Sequence, residues 1–245
     1  AWLISALGFK VDIAAFALPL LAFGIPLLFS GKSSRKSVGE FIFGFSFLFM
    51  GLQALKANAP DLGANPEMLA FVQNYTDMGF LSIILFLFIG AILTMIVQAS
   101  AATMAITLIM CANGWIDYHL GVALVLGENI GTTITANLAA LTGNTQSRRA
   151  ALAHLVFNIF GVMWVLVLFY PFTAAVSWFV TDVMNISDPA VAVSFKLAAF
   201  HTAFNISNTF IMIWFVGLIE KTVCFLIKGK KDEDEEYRLR YITGG

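Results

Sequence analysis

The sequence predicts an all-α membrane protein: a polytopic helical bundle with a re-entrant helical hairpin and a broken transmembrane helix. Three observations carry this. Of 245 residues, 59% are hydrophobic and only 12% charged, against about a quarter charged in soluble domains. With a mean hydropathy of +0.85, the apolar residues gather in runs of membrane-spanning length. Two short polar blocks, Gln98 to Thr103 and Gly127 to Thr133, sit inside that apolar sequence. Polar groups cost free energy in a membrane unless they satisfy one another or bind something.

The elements follow in order. Residues 11–30 are a first apolar run containing Pro19 and Pro26, which kink a membrane helix. Lys32, Arg35 and Lys36 close it. Residues 38–56 are the second run, with Ser37 as N-cap and Glu40 completing a capping box. Gly44 and Gly51 among its phenylalanines allow close helix approach. Residues 57–77 read as a polar connection with a short helix near Pro66 to Gln73. Residues 78–97 are strongly apolar, and 102–114 form a shorter run. At ~1.5 Å per residue the shorter run reaches about 20 Å, less than the ~30 Å hydrocarbon core. A re-entrant hairpin with Gln98 to Ala101 at its tip is therefore expected; one continuous helix and a loop is the competing reading. Residues 119–144 are the next crossing, with Gly127 to Thr133 breaking it. Crossings at 148–172 and 191–222 follow, joined by a connection at 173–190 that is expected to be partly helical at the interface. The chain divides into a transmembrane domain, 1–227, and a charged cytoplasmic tail, 228–245. It opens on Ala1 and closes on Gly245, and both ends read as cut points.

Charge counting orients these segments. Placing the positive clusters at 32–36, 148–149 and 228–231 on the cytoplasmic side puts Asp61, Glu67, Asp77, Asp182 and Asp188 outside. The pattern holds only if 78–118 starts and ends outside, as a hairpin does.

The polar blocks suggest ion chemistry. Gln98, Ser100 and Thr103 offer amide and hydroxyl groups, and the amides opening the second arm favour an anion. Glu128, Asn129, Thr132 and Thr133 offer oxygens to a cation, and Glu128 places a carboxylate inside a crossing. One site holding both ions would couple them through shared binding free energy. Polar kinks satisfied by neighbouring helices are the alternative. A second pattern is H-x-x-F-N, seen at His154 to Asn158 and His201 to Asn205. His and Asn four apart share a helix face, either for helix–helix hydrogen bonds or near a ligand path. No metal-ligand set accompanies them. Cys111 and Cys224 read as free thiols in apolar segments. No nucleophile constellation or HExxH pattern supports an enzyme, and no basic stripe suggests nucleic acid.

At these residues the sequence resembles the bacterial branch of the type II sodium/phosphate cotransporters, whose members carry a QSSS-type signature followed by G-x-N-I-G-T-T. Gln98, Ser100, Ala102 and Thr103 match the first; Gly127, Asn129, Ile130, Gly131, Thr132 and Thr133 match the second. Ala99 and Ala101 stand where the family has serines. The resemblance implies sodium-coupled transport of inorganic phosphate in a bacterial inner (plasma) membrane, with no cofactor beyond sodium. Another small anion, or a structural or channel-like half needing a partner subunit, is the alternative. Implied contacts to phosphate and sodium are Gln98, Ser100, Ala101, Ala102, Thr103, Glu128, Asn129, Gly131, Thr132 and Thr133. Sodium itself would be held through Gln98, Ser100, Asn129 and Thr132, with His154, Asn158, His201 and Asn205 behind them. Members have two such motif pairs in inverted repeats; one pair is present here. The chain therefore resembles the second repeat half. It would need the first repeat upstream or a homodimer partner, and its tail resembles the lead into a PhoU-type soluble domain.

Overall fold

A computed structural model describes residues 14–57 and 75–229. The expected helix at 66–73 and most of the 228–245 tail lie outside the described residues. Every element among the described residues is helical: α1 (Ala14–Leu28), α2 (Ser33–Ala57), α3 (Phe80–Val97), α4 (Ser100–Ala112), α5 (Tyr118–Ala140), α6 (Thr145–Val167), α7 (Phe169–Trp178), α8 (Pro189–Met212) and α9 (Val216–Leu226). A π-helical turn, Phe179–Val183, follows α7, and a 3₁₀ turn, Ile213–Phe215, joins α8 to α9. Four stretches are long and apolar enough to cross a membrane: α2, α3, α6 and the α8–α9 run. The protein is an all-α membrane protein.

Helix α5 is the hub and is not one of those four. Polar residues lower its hydropathy, and its neighbours shield it: Leu120 through Glu128 are all buried, as are Gly131 and Thr133. Asp117 caps its start, accepting from the Leu120 amide at 2.8 Å.

The directions of the neighbours follow from paired positions. Gly90 of α3 lies against Leu124, Gly127 against Leu87 and Ala91, and Gly131 against Ala91 and Thr94. Higher numbers meet higher numbers, so α3 and α5 run parallel. At one end of α4, Cys111 meets Gly121; at the other, Ser100 and Met104 share a cavity with Glu128 and Thr132. Helix α4 therefore runs back along α5. Helices α3 and α4 form a hairpin, turning at Gln98 (φ 55°) and extended Ala99 (φ −143°). This is the turn the Gln98 block predicts.

Two expectations need correction. Helix α5 is continuous through Gly127 to Thr133. Gly127 and Gly131 are one turn apart and form a small-residue seam that lets the α3 and α5 backbones touch. A Cβ on Gly131 would stand 2.5 Å from the Ala91 carbonyl oxygen, and one on Gly127 would collide with the Leu87 carbonyl. The flanking hydroxyls are satisfied within the helix: Thr132 donates to the Glu128 carbonyl at 2.9 Å and Thr133 to that of Ile130 at 2.7 Å. Second, α2 starts at Ser33, so Ser37 is inside the helix rather than its cap. Its tight glycine contact with α1 is at Gly39, not Gly44 or Gly51, which have open space beside them. The connection from 173, expected to be partly helical, is helical to Trp178 and continues as the π-helical turn to Val183. Phe169, Val176 and Val180 bury their side chains in the core, and Thr173 bonds back to the Phe169 carbonyl at 2.8 Å.

Helices α6 and α8 are antiparallel and are tied by Asn208, which is fully buried. Its Nδ2 donates to the Phe157 carbonyl at 3.1 Å, and its Oδ1 accepts from Trp164 Nε1 at 3.2 Å. Gly161 makes room, since a Cβ there would stand 2.6 Å from Asn208 Nδ2. Asn208→Ala is expected to cost about 1–2 kcal/mol, because it strands the Trp164 N–H and opens a void. Thermal unfolding in detergent measures that loss.

Candidate functional site

The helix arrangement brings four elements around one small cavity of about 260 Å³. Ser100, Ala101 and Met104 come from the first turns of α4; Glu128, Asn129 and Thr132 from α5; His154, Phe157 and Asn158 from α6; His201 and Asn205 from α8. The volume lies below the 300–1,000 Å³ of organic-ligand pockets, so it suits a small ion.

Its chemistry has two sides. Helix α4 begins at the cavity with no side-chain cap on Ala99. The Ala102 and Thr103 amides bond to the Ala99 carbonyl at 3.0 and 3.1 Å, leaving the Ser100 and Ala101 amides at the cavity edge. An uncapped N-terminus carries partial positive charge and attracts an anion. The opposite walls are rich in oxygen. Asn129, Asn158 and Asn205 each donate Nδ2 to the carbonyl four residues back: Val125 at 2.9 Å, His154 at 3.0 Å and His201 at 2.7 Å. Each bond uses one N–H of its amide, which leaves Oδ1 and the second N–H available. Glu128 is 4% exposed, and its Oε2 is buried without a hydrogen-bond partner among the described residues. A lone buried carboxylate oxygen is costly unless something pairs with it.

The sequence-derived residues divide into two groups. Ser100, Ala101, Glu128, Asn129, Thr132, His154, Asn158, His201 and Asn205 meet at the cavity. Gln98, Ala102, Thr103, Gly131 and Thr133 do not line it. Gln98 is exposed at the hairpin turn. Thr103 bonds to the Ala99 carbonyl at 3.4 Å, and Gly131 and Thr133 belong to the packing of α5. Met104 and Phe157 line the cavity without having been singled out. Met104 lies one turn after Ser100, and Phe157 is the aromatic of the first H-x-x-F-N, so helical spacing could have found both.

The fold defines a polytopic membrane protein in which four helices meet at a small, polar-lined cavity. The chain belongs to the Na+/Pi-cotransporter family, whose profile matches residues 1–57 and 63–179. Similar proteins include Bacillus subtilis (strain 168) YqeW, an uncharacterized protein, 29% identical over 224 residues, covering 90% of this chain and 67% of that protein. YjbB of Escherichia coli (strain K12), a proposed inorganic phosphate export protein, is 26% identical over 91% of this chain and 39% of its own length. Sodium-dependent phosphate transport protein 2B of Rattus norvegicus is 41% identical over 97 residues, 38% of this chain and 13% of that protein. This chain thus spans well under half of YjbB. No solved structure matches it. The protein is multi-pass, and its bacterial relatives point to the plasma membrane.

Proposed function

We propose that the protein transports inorganic phosphate coupled to sodium, and that both ions bind in the α4–α5–α6–α8 cavity. One arrangement carries this reading: the uncapped start of α4 shares a space of about 260 Å³ with Asn129, Asn158, Asn205 and the buried Glu128. A cation on the oxygen side and an oxyanion at the helix end lower each other's desolvation cost. Phosphate as the anion is supported by the family and by the names of the relatives. Sodium is assigned to Glu128, Asn129, Ser100 and Thr132, and the anion to the Ser100 and Ala101 amides. Gln98 has a different place in this reading. It is exposed with Ala99, Ser100 and Ala101, on a face suited to a second polar wall from another repeat or a second copy. The hairpin is re-entrant, and the positive clusters face the cytoplasm.

The test is phosphate flux in proteoliposomes holding the full-length protein. A sodium gradient is expected to drive radiolabelled phosphate, a potassium gradient to leave it still, and reversal of the gradient to reverse the flux. Ser100→Ala is expected to raise half-saturating phosphate or sodium roughly tenfold, the worth of one hydrogen bond to a charged group. Flux indifferent to sodium sinks the coupling; preference for sulfate sinks the choice of anion.

A further inference from the structure

We propose that the groove between α6 and α9 is the access route by which inorganic phosphate reaches the central cavity, an inference that rests on the transport reading above. The groove is a second cavity of about 810 Å³. Its polar lining is Gln146, Arg149 and His154 from α6, with Glu220 and Cys224 from α9.

Two observations join it to the site. His154 and Phe157 line both cavities, so a single layer of side chains separates them. The groove is the wider space and the cavity behind it the narrower, about 810 against 260 Å³, as a vestibule leading to a binding site requires. The Phe157 backbone in that layer is fixed from behind by Asn208, which donates to its carbonyl at 3.1 Å.

The charge of the groove fits an oxyanion. Arg149 lies near the start of α6, where the helix dipole adds positive potential. Its Nε donates to the Ile227 carbonyl at 3.0 Å, which holds the guanidinium beside the end of α9. Glu220 of α9 also lines the groove, about two turns before Ile227, and its negative charge keeps the groove from trapping an anion permanently. The rest of the lining, including Ala150, Ala153 and Val223, is apolar, so an anion is held only weakly there, as a route rather than a site requires.

The chain carries its own probe. Cys224 lines the groove and is partly exposed, whereas Cys111 is buried and points its thiol at the Asp117 carbonyl at 3.7 Å. These are the two cysteines of the sequence. In the full-length protein in proteoliposomes, a water-soluble anionic methanethiosulfonate is expected to label Cys224 and remove most sodium-driven phosphate uptake. Excess phosphate with sodium is expected to slow the labelling. In Cys224→Ser the reagent should leave uptake at that variant's own untreated level. Labelled Cys224 with unchanged uptake overturns the proposal. So does a Cys224 that never reacts, since lipid or another segment then fills the groove. If untreated protein moves no phosphate, the transport reading itself has failed. Protection of Cys224 by phosphate then decides the access route alone, its presence supporting the route and its absence overturning it.

Discussion

Gly127→Ala is expected to abolish the folded, transport-competent protein. The new methyl would collide with the Leu87 carbonyl and meet the Ala91 amide at 2.8 Å. Both obstacles are backbone, so no side chain can rotate aside. Inserting a methylene into a packed core costs about 1–3 kcal/mol when side chains can adjust, and here two helices must separate along their length. A loss of about 3 kcal/mol or more is expected, enough to unfold a marginal protein. The control is internal. Gly44→Ala and Gly51→Ala meet nothing within 4 Å, and alanine is the better helix former by about 0.5–1 kcal/mol. Those variants are expected to fold at least as well as the parent. Size-exclusion profiles and thermal unfolding in detergent separate the cases, and a well-folded Gly127→Ala would falsify the seam.

The second large effect is expected at Glu128. Glu128→Gln keeps the shape and removes the charge. If the carboxylate holds sodium, half-saturating sodium for phosphate flux should rise at least about tenfold, a change of ~1.4 kcal/mol. Stability without ligand should move the other way. The parent buries an unpartnered carboxylate oxygen, and a neutral amide costs less to desolvate. The ion-free variant is therefore expected to melt no lower than the parent. Weakened sodium dependence with retained stability is the signature of a ligand. A lower melting temperature with unchanged sodium dependence assigns Glu128 to the bundle instead.

Much of this architecture was legible in the sequence, and the misreadings have physical causes. The hairpin could be read because Gln98 to Ser100 interrupt an apolar run and the second arm is too short to span. The cavity residues of α6 and α8 were legible because H-x-x-F-N repeats at helical spacing, although helix packing explained that repeat equally well. The break in α5 was misread because glycine has two uses in a membrane helix. It loosens the backbone, and it removes the side chain where another backbone must pass. Gly127 and Gly131 serve the second use, and only the partner helix, with Leu87 and Ala91 facing them, discriminates. Side-chain chemistry says nothing of direction, and Gln98 is exposed and does not line the cavity. At a left-handed turn residue (φ 55°), the side chain leaves the helical course of both arms. The early start of α2 was missed because Ser33 to Lys36 are polar, and polarity alone does not end a helix.

The glycine seam also limits how such a protein can move. Side chains at a helix interface can change rotamer and let two helices slide; a contact between backbone and backbone has no such freedom. Helices α3 and α5 therefore behave as one rigid spine. One wall of the cavity, Glu128, Asn129 and Thr132, is mounted on it. In the transport cycle proposed above, alternating exposure would then come from the other walls, through rocking of α4, α6 and α8 against a wall that stays still.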